Sequence, residues 1–374
     1  MYRIRNCICL LSALIFISGT LAAQPANSAI WNGKKSTSWA DAENWDNGIP
    51  STGNVTIRGY QKNNPALGGK DGIVGKNLIL ESGAKLVVDA ELIVNGNITV
   101  MQGAEIQVSE DCILKSIGES NWIIDGTLTL LPGSSAWSEG KKGAKNSIVI
   151  NGSLIAKGTE EKWIAIKGSP YPKGLMKLQI GGANVFMDYV TMPDVGSPIV
   201  CSNTPRAYEL SHLKTAGRCS TDLYSSATLL ITESNLLSPV NLYYNATLEL
   251  VRCDLNNASP VNFFQKLDKG WVISREDVDN KGAYIYWPGL KGMDWHAGRV
   301  PPGNKDNVMI KANKWNKDSS IVTISYDATC NDLHLEKGTK LVIKENAKLT
   351  INGKFVNDGI VDAKDKSIIP QAKQ

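Results

Sequence analysis

Charged side chains that could act on a uronic acid recur between residues 188 and 254 of the sequence. Asp188, Glu233 and Asp254 carry oxygens of the kind that bind calcium, and calcium would neutralise the carboxylate of such a sugar. Lys214 or Arg252 would then abstract the proton whose loss begins an elimination reaction. Charges on the outer sides of strands are more often an ordinary solvated surface. The fold therefore decides whether these side chains converge.

A repeat in the same region predicts the element that would position them. Ser-Pro-Ile begins at Ser197, and Ser-Pro-Val begins at Ser238 and at Ser259, which indicates a period of about 21 residues. A unit this short, made of strands and turns with no room for a helix, is typical of one coil of a parallel β-solenoid. The molecule is therefore predicted to be a rod.

Equivalent side chains of successive coils would lie about 4.8 Å apart. The outward ladder predicted from the period consists of Asp188, Glu209, His212, Lys214, Glu233, Arg252 and Asp254. The inward stack predicted from it consists of Leu229, Ile231, Leu248 and Leu250.

The two ends of the chain carry similar strand-rich modules. In both, apolar residues alternate with polar ones over short runs separated by Gly, Asn and Asp, which predicts strands with one buried side. The matched positions are Trp45 with Trp295, Val55 with Val308, Ile57 with Ile310, Leu78 with Leu333, Leu80 with Leu335, Leu86 with Leu341, and Asn95 and Gly96 with Asn352 and Gly353.

Two kinds of resemblance support this organisation. The segments GSLIAKGTEEKWIAIKG and FMDYVTMPDV resemble coils of the right-handed parallel β-helix proteins that bacteria secrete. The terminal modules are similar to a Trp- and Gly-rich strand module of autotransporter-like and Bacteroidetes envelope proteins. The resemblance implies an all-β fold, a right-handed parallel β-helix with a duplicated module at each end, and a place outside the cytoplasm. The Arg- or Asp-rich signatures of the lyase and pectinase families with this fold are absent from the sequence.

The tryptophans of the two modules have two interpretations. Trp31, Trp39 and Trp45 lie within fifteen residues, and the second module contains Trp287 and Trp295. Rings of this size would close the open end of a solenoid, because each buries about 150–250 Å². Alternatively, the five rings form stacking surfaces for sugars, and a site at each end of a rod would bind a polysaccharide bivalently. The Gly and Pro turns that follow Trp45 and Trp295 favour packing.

The amino terminus predicts export from a Gram-negative bacterium. Arg3 and Arg5 precede an apolar run that ends at Ala22 and Ala23, as in a secretory signal peptide. No later segment reaches the roughly 18 apolar residues of a membrane-spanning helix. The mature protein is therefore expected in the periplasm, on the outer surface or outside the cell. Its near-neutral charge gives no basis for binding nucleic acid.

The predicted organisation is a signal peptide (1–23), an N-terminal Trp/Gly module (24–110), central β-helix coils (111–275) and a C-terminal Trp/Gly module (276–374). Cysteine spacings match no zinc site, so no metal or other cofactor is predicted. Cys201 and Cys219 lie about one coil apart, but the disulfide pairing stays open.

The favoured function is binding of a glycan or another surface component by an exported envelope protein, without catalysis and in a role such as adhesion. The alternative is a polysaccharide lyase or glycoside hydrolase with a groove along the β-helix, which would use calcium. A third interpretation is a structural spacer. Exposed strand edges would also permit oligomers.

Overall fold

The chain forms an all-β parallel solenoid, as predicted from the sequence. The computed structural model describes residues 28–169, 175–182, 184–216, 221–225, 227–237, 240–243, 246–253, 261–264, 272–275, 284–287, 293–294, 303–304, 307–310, 321–364 and 368–370. The one helical element within these ranges is the 3₁₀ turn Ala42–Asn44.

The strands are short and follow one another along the chain. The first fifteen are β1 (Ala29–Trp31), β2 (Trp45–Asp46), β3 (Val55–Ile57), β4 (Gly72–Val74), β5 (Leu78–Leu80), β6 (Lys85–Val88), β7 (Glu91–Val94), β8 (Ile98–Val100), β9 (Glu105–Val108), β10 (Ile113–Ile117), β11 (Asn121–Ile124), β12 (Thr127–Leu130), β13 (Ser135–Glu139), β14 (Lys145–Ile150) and β15 (Ser153–Lys157). The next twelve are β16 (Ile164–Lys167), β17 (Leu175–Ile180), β18 (Asn184–Pro193), β19 (Ser197–Cys201), β20 (Ala207–Ala216), β21 (Thr221–Leu223), β22 (Thr228–Thr232), β23 (Asn235–Leu236), β24 (Val240–Tyr243), β25 (Thr247–Val251), β26 (Val261–Phe264) and β27 (Val272–Arg275). The last eleven are β28 (Tyr284–Trp287), β29 (Met293–Asp294), β30 (Asn307–Ile310), β31 (Ile321–Ile324), β32 (Ala328–Cys330), β33 (Leu333–Leu335), β34 (Lys340–Ile343), β35 (Leu349–Ile351), β36 (Phe355–Asn357), β37 (Ile360–Asp362) and β38 (Ile368–Pro370).

Strands of successive coils pair in parallel along three faces. Face A contains β1, β3, β5, β8, β11, β14, β17, β19, β21, β24 and β26, with β2 at its end. Face B contains β6, β9, β12, β15, the first halves of β18 and β20, and then β22, β25 and β27. Face C contains β4, β7, β10, β13, β16, the second halves of β18 and β20, and β23. We call the edge where face A leads into face B the A/B corner, and the next edge the B/C corner.

The core is a set of aliphatic stacks that run from coil to coil. Leu229 pairs with Leu248 and Ile231 with Leu250, and none of the four is more than 1% exposed, which confirms the predicted inward stack. On face A, Leu223 pairs with Cys201 in one neighbouring coil and with Leu242 in the other. These steps agree with the period of about 21 residues read from the sequence.

Trp31, Trp39 and Trp45 are buried together near the first strand that the structure describes. Strand β1 pairs in parallel with β3 on one side, whereas on its other side Trp31 pairs with Trp45 of the antiparallel β2. Trp45 packs edge-on against both Trp31 and Trp39, with ring centroids 5.0 and 4.7 Å apart. The indole N–H of Trp45 donates to the carbonyl of Trp39 over 2.8 Å. Trp31 is fully buried, and Trp39 and Trp45 are each 5% exposed.

The two regions that match in sequence also share their strand register. Val55 pairs with Leu78 in the first region, and Val308 pairs with Leu333 in the second. The described buried apolar residues form two clusters, one between residues 29 and 253 and the other between residues 308 and 351. Between them, β27 and β28 pair antiparallel, whereas the coils on either side pair in parallel.

Candidate functional site

A groove of about 530 Å³ crosses the A/B corner of several coils. Three successive coils turn this corner with short connections that begin Asp125-Gly126, Asn151-Gly152 and Gly181-Gly182. Longer connections flank them, namely residues 101–104 on one side and 202–206 on the other. The short connections therefore form the floor of the groove, and the longer ones form its two ends.

Only glycine allows the floor to be this low. A Cβ atom on Gly152 would lie 2.0 Å from the carbonyl oxygen of Gly126, and one on Gly182 would lie 2.3 Å from that of Gly152. Each turn therefore packs directly on the backbone of the turn beneath it. The backbone N–H groups of Gly126 and Gly152 donate to carbonyls of the preceding coil over 3.0 and 2.8 Å, so the exposed side chains of Asp125 and Asn151 are the polar groups that the floor offers to a ligand.

Two charged side chains line the groove, Asp125 on its floor and Arg206 at one end. The carboxylate of Asp125 accepts a hydrogen bond of 2.8 Å from the amide of Asn151. Arg206 is exposed, and none of the described residues hydrogen-bonds or ion-pairs with it. Three coil steps separate Asp125 from Ser202, which corresponds to roughly 14 Å at about 4.8 Å per coil.

Two stacked tyrosines continue the line of the groove along the same corner. One register position at the ends of the face A strands is occupied in successive coils by Asp125, Asn151, Gly181, Ser202, Tyr224 and Tyr243, each of which follows a paired core residue. The rings of Tyr224 and Tyr243 are 4.3 Å apart and inclined by 9°. Partial burial raises the pKa of the Tyr243 phenol, and the charge of Asp222 raises it further. We call the two rings the tyrosine pair.

The B/C corner carries a second column of polar side chains, one from each of four coils. Tyr189, His212, Glu233 and Arg252 have φ values of 51°, 46°, 49° and 51°. This left-handed conformation is uncommon outside glycine. At Tyr189, His212 and Glu233 it turns the chain from face B to face C. The four side chains form a column on the outside.

His212 lies at the centre of this column. Its Nδ1 atom is 2.7 Å from the carboxylate of Asp188, and its Nε2 atom is 2.8 Å from that of Glu233. Its ring is stacked on Tyr189, with the centroids 4.1 Å apart and the planes inclined by 4°. Both ring nitrogens are therefore directed at carboxylates, which only accept hydrogen bonds.

Neighbouring charges shift two pKa values in the column. The Arg252 guanidinium, which hydrogen-bonds Glu233, holds the pKa of that carboxyl below its usual value, and His212 acts in the same direction. Partial burial raises the pKa of Tyr189, and so do the charges of Glu160 and Asp188 beside it.

The two bases predicted for an elimination reaction have close neighbours. The ammonium of Lys214 lies 3.8 Å from the ring centroid of Trp163, a cation–π contact on face C. Arg252 forms an ion pair with Glu233. Glu209 pairs with Lys157 over 3.3 Å. Of the predicted outward ladder, the structure brings together Asp188, His212, Glu233 and Arg252, but not Glu209 or Lys214.

The residues predicted for calcium do not form a shared site within the described chain. His212 lies between Asp188 and Glu233 and bonds to both, so the two carboxylates do not face each other. No group of three or more His, Cys, Asp or Glu side chains in the described ranges is arranged to hold a metal ion. Asp254 lies outside these ranges.

The tryptophans predicted to bind sugars have different positions. Trp31, Trp39 and Trp45 pack inside the amino-terminal end, where their burial favours the packing interpretation. Trp287 belongs to β28, and Trp295 lies outside the described residues.

Cys112 and Cys201 are free thiols in the structure. Burial raises the pKa of Cys201 to about 11. Cys219, which the sequence places about one coil away, is outside the described ranges.

The groove was not predicted from the sequence, although a signal for it exists. Asp-Gly, Asn-Gly and Gly-Gly each follow a strand of face A, and such dipeptides mark tight turns. Their recurrence at one corner in three successive coils indicates a row of low, tight turns.

Comparison with known proteins identifies no relative of this chain. No protein-family model matches it, and neither a curated protein nor a solved structure matches it.

None of the helices described is long and apolar enough to cross a membrane.

Proposed function

We propose that this protein binds a glycan in the groove at the A/B corner and does not transform it. The observation that carries the proposal is the groove itself, about 530 Å³ in volume, with the polar side chains of Asp125 and Asn151 on its floor and Arg206 at one end. Sugars are recognised by hydrogen bonds to hydroxyl groups, and a polar groove of this length suits an extended chain better than a compact apolar ligand.

The proposal also includes export of the protein from the cytoplasm. The signal-like amino-terminal sequence supports export to the periplasm, the outer surface or the surroundings of a Gram-negative bacterium. From the resemblance described above, we also propose that the solenoid is right-handed and that it carries a Trp/Gly module at each end. Such a rod would present its groove to an envelope or surface polysaccharide.

The arrangement of the B/C corner favours binding over elimination chemistry. A general base needs a lone pair directed at the substrate. Instead, both nitrogens of His212 face carboxylates, Arg252 is paired with Glu233, and Lys214 lies over Trp163. A polysaccharide lyase stays the alternative that the experiment below must exclude.

The test combines binding and turnover measurements on the mature protein. Retention on a glycan array identifies ligands, calorimetry gives their affinities, and absorbance of unsaturated products reports lyase activity with and without calcium. Asp125→Asn should weaken binding about tenfold or more, because a hydrogen bond to a charged acceptor contributes about 1.5–3 kcal/mol. The matched control is Glu119→Gln, which removes an exposed carboxylate outside the groove.

Each outcome decides between the functions. Binding that is lost in Asp125→Asn and kept in Glu119→Gln supports the groove. Product formation that is lost in Lys214→Ala would replace binding with catalysis. Failure of every glycan to bind would overturn the proposal and leave a structural role.

A further inference from the structure

A ladder of asparagine side chains runs along the edge where face C leads into face A, which we call the C/A corner. Asn54, Asn77, Asn97 and Asn121 directly precede paired residues of four successive face A strands. The Oδ1 atom of each of the first three accepts the backbone N–H of the next, over 3.2, 2.9 and 2.9 Å. The Oδ1 atom of Asn121 accepts the hydroxyl of Ser147 in the following coil over 2.8 Å. The ladder therefore links five successive coils.

These bonds determine which part of each amide stays available. A backbone N–H can only donate, so its partner in the first three asparagines is the amide oxygen, and the NH₂ group is left over. None of the four NH₂ groups has an acceptor among the described residues, and Asn97 and Asn121 are exposed. Ser147 and then Lys177 continue the same register position in the next two coils. The ladder therefore offers hydrogen-bond donors to a ligand.

Lysines accompany the ladder without matching carboxylates. The exposed lysines of this corner and of the strand ends beside it are Lys76, Lys141, Lys142, Lys145 and Lys177. None of them is ion-paired within the described chain, whereas Lys85, Lys115 and Lys157 on faces B and C each pair with a glutamate over 3.2, 2.6 and 3.3 Å. Glu119 is the one carboxylate in the described connections that lead into β5, β8, β11 and β14. We call the four asparagines and five lysines the basic ladder.

The surroundings of the basic ladder narrow the class of partner. The outward positions beside it on face A are Ile79, Thr99 and Ile123, which carry neither charge nor an aromatic ring. Single-stranded nucleic acids are bound by basic grooves that also contain aromatic side chains for base stacking, so they fit this surface poorly. A second copy of the chain would present the same donors and charges to it. The partner that fits supplies acceptors and negative charge along a line.

We propose that the basic ladder binds a linear acidic polysaccharide along the solenoid axis, with its carboxylate or sulfate groups on the lysines and its other oxygens on the asparagine amides. The asparagines repeat about every 4.8 Å, which lets successive units of an extended chain meet equivalent donors. This surface is separate from the groove, because Asn121 and Asp125 lie at opposite ends of one face A strand, roughly 13 Å apart at about 3.3 Å per residue. The proposal therefore does not depend on the function of the groove.

Matched polymers that differ in charge test the proposal by calorimetry with the purified protein. Polygalacturonate is compared with its fully methyl-esterified form, and dextran sulfate is compared with dextran. The acidic members should bind, and their affinity should fall as sodium chloride is added, because salt screens interactions between exposed charges. Vesicles of anionic or neutral phospholipid and a single-stranded oligonucleotide are measured in parallel.

Asn97→Asp separates binding from folding. A carboxylate can still accept the backbone N–H of Asn121, so the bond between coils is kept, but the NH₂ donor is replaced by a negative charge. Binding of the acidic polymer should weaken about tenfold or more, while the thermal unfolding midpoint should change little. The control is Asn64→Asp, which adds the same charge at an exposed position outside the corner.

A triple variant tests the lysines. Combining Lys141→Gln, Lys142→Gln and Lys145→Gln should weaken binding of the acidic polymer about threefold or more. The control combines Lys62→Gln, Lys70→Gln and Lys348→Gln, which removes the same charge from exposed positions elsewhere. Its affinity should stay within about twofold of that of the unmodified protein.

The outcomes decide for or against the basic ladder. Preference for an acidic polymer that falls in Asn97→Asp and in the lysine variant, but not in their controls, supports the proposal, and the polymer that binds identifies carboxylate or sulfate. Equal losses in the controls would overturn it, because net charge alone would then explain the binding. Absence of binding to both acidic polymers, or tighter binding of anionic vesicles or the oligonucleotide, would overturn it too.

The groove is tested separately by Asp125→Asn, which should leave binding at the basic ladder unchanged. A neutral glycan whose binding is lost in Asp125→Asn and kept in Asn97→Asp would support the groove, whatever the acidic polymers show.

Discussion

At the scale of single residues, the B/C corner shows how a solenoid accommodates charge. Tyr189, His212, Glu233 and Arg252 each adopt a left-handed conformation that costs an ordinary residue about 1–2 kcal/mol. The contacts among their side chains offset part of this strain, since each member bonds to or stacks on the next. We therefore interpret the column as a stabilising element of the corner.

The stability of this column should depend on pH through Glu233. Its pKa in the folded protein lies below the ordinary value of 4.5, so its contribution is present above that value and is lost as the pH falls through the folded pKa. Urea unfolding at pH 7 should show Glu233→Gln to be less stable by about 0.2–1 kcal/mol, because the pair is solvent-exposed. The difference should vanish near pH 2. A difference that persists at that pH would contradict this assignment.

Two cysteines should differ in their reactivity toward an alkylating agent. Cys201 is fully buried and has a pKa of about 11, so little thiolate forms at pH 8. Cys112 is partly exposed, although burial and the charges of Asp89 and Asp111 raise its pKa too. Iodoacetamide should label Cys112 in the folded protein and Cys201 only after unfolding, as measured by peptide mass spectrometry. Equal labelling rates would show that the interior at Cys201 opens to solvent.

At the scale of elements, the three short turns at the A/B corner determine the depth of the groove. Their glycines are not equivalent, because a Cβ atom on Gly152 meets a backbone oxygen at 2.0 Å, whereas the nearest atom to one on Gly181 is 3.7 Å away. The first glycine is therefore required by packing, and the second has room for a methyl group.

Alanine substitutions should separate these two positions. Gly152→Ala forces the turn away from its neighbour and should lower stability by about 1–3 kcal/mol and weaken glycan binding. Gly181→Ala is the matched control on the same floor and should change stability by less than about 1 kcal/mol. Thermal unfolding and calorimetry measure both effects. Equal losses would mean that the floor is not held by contact between successive turns.

At the scale of the whole molecule, a solenoid is close to a one-dimensional structure in which each coil contacts only its neighbours. The buried Trp31, Trp39 and Trp45 and the antiparallel β2 close its amino-terminal end. Damage at this end should therefore remain near it.

Trp45→Ala tests how far a local change propagates. Loss of this buried ring should destabilise its surroundings by about 3–5 kcal/mol. Hydrogen exchange should rise in β1, β3 and β5 and stay unchanged in β22 and β25, where Leu248→Ala should give the opposite pattern. Uniform loss of protection along the rod in either variant would show that the solenoid unfolds as a single unit.

The inward half of this architecture could be predicted from sequence, and the outward half only in part. The period placed Leu229 and Leu248 correctly because burial of alternate residues leaves a regular apolar pattern. It also placed His212 in line with Asp188 and Glu233, as the structure does. The same prediction put Lys214 and Glu209 in that line, but their side chains contact Trp163 and Lys157 instead, because corner residues and strand residues of one coil face different directions. The groove was not predicted because it is formed by differences in the lengths of the connections between strands. These lengths vary between coils without changing the apolar pattern of the strands.

That independence of connections and core has an evolutionary consequence. The ends of the groove are the connections at residues 101–104 and 202–206, and of these residues only Ala104 belongs to the buried apolar core. Lengthening or shortening a single connection would move one wall of the groove by one coil while the register beneath stayed the same. A solenoid built in this way can exchange one ligand for another by insertion and deletion alone, so related rods with the same core would be expected to differ most in the spacing of their walls.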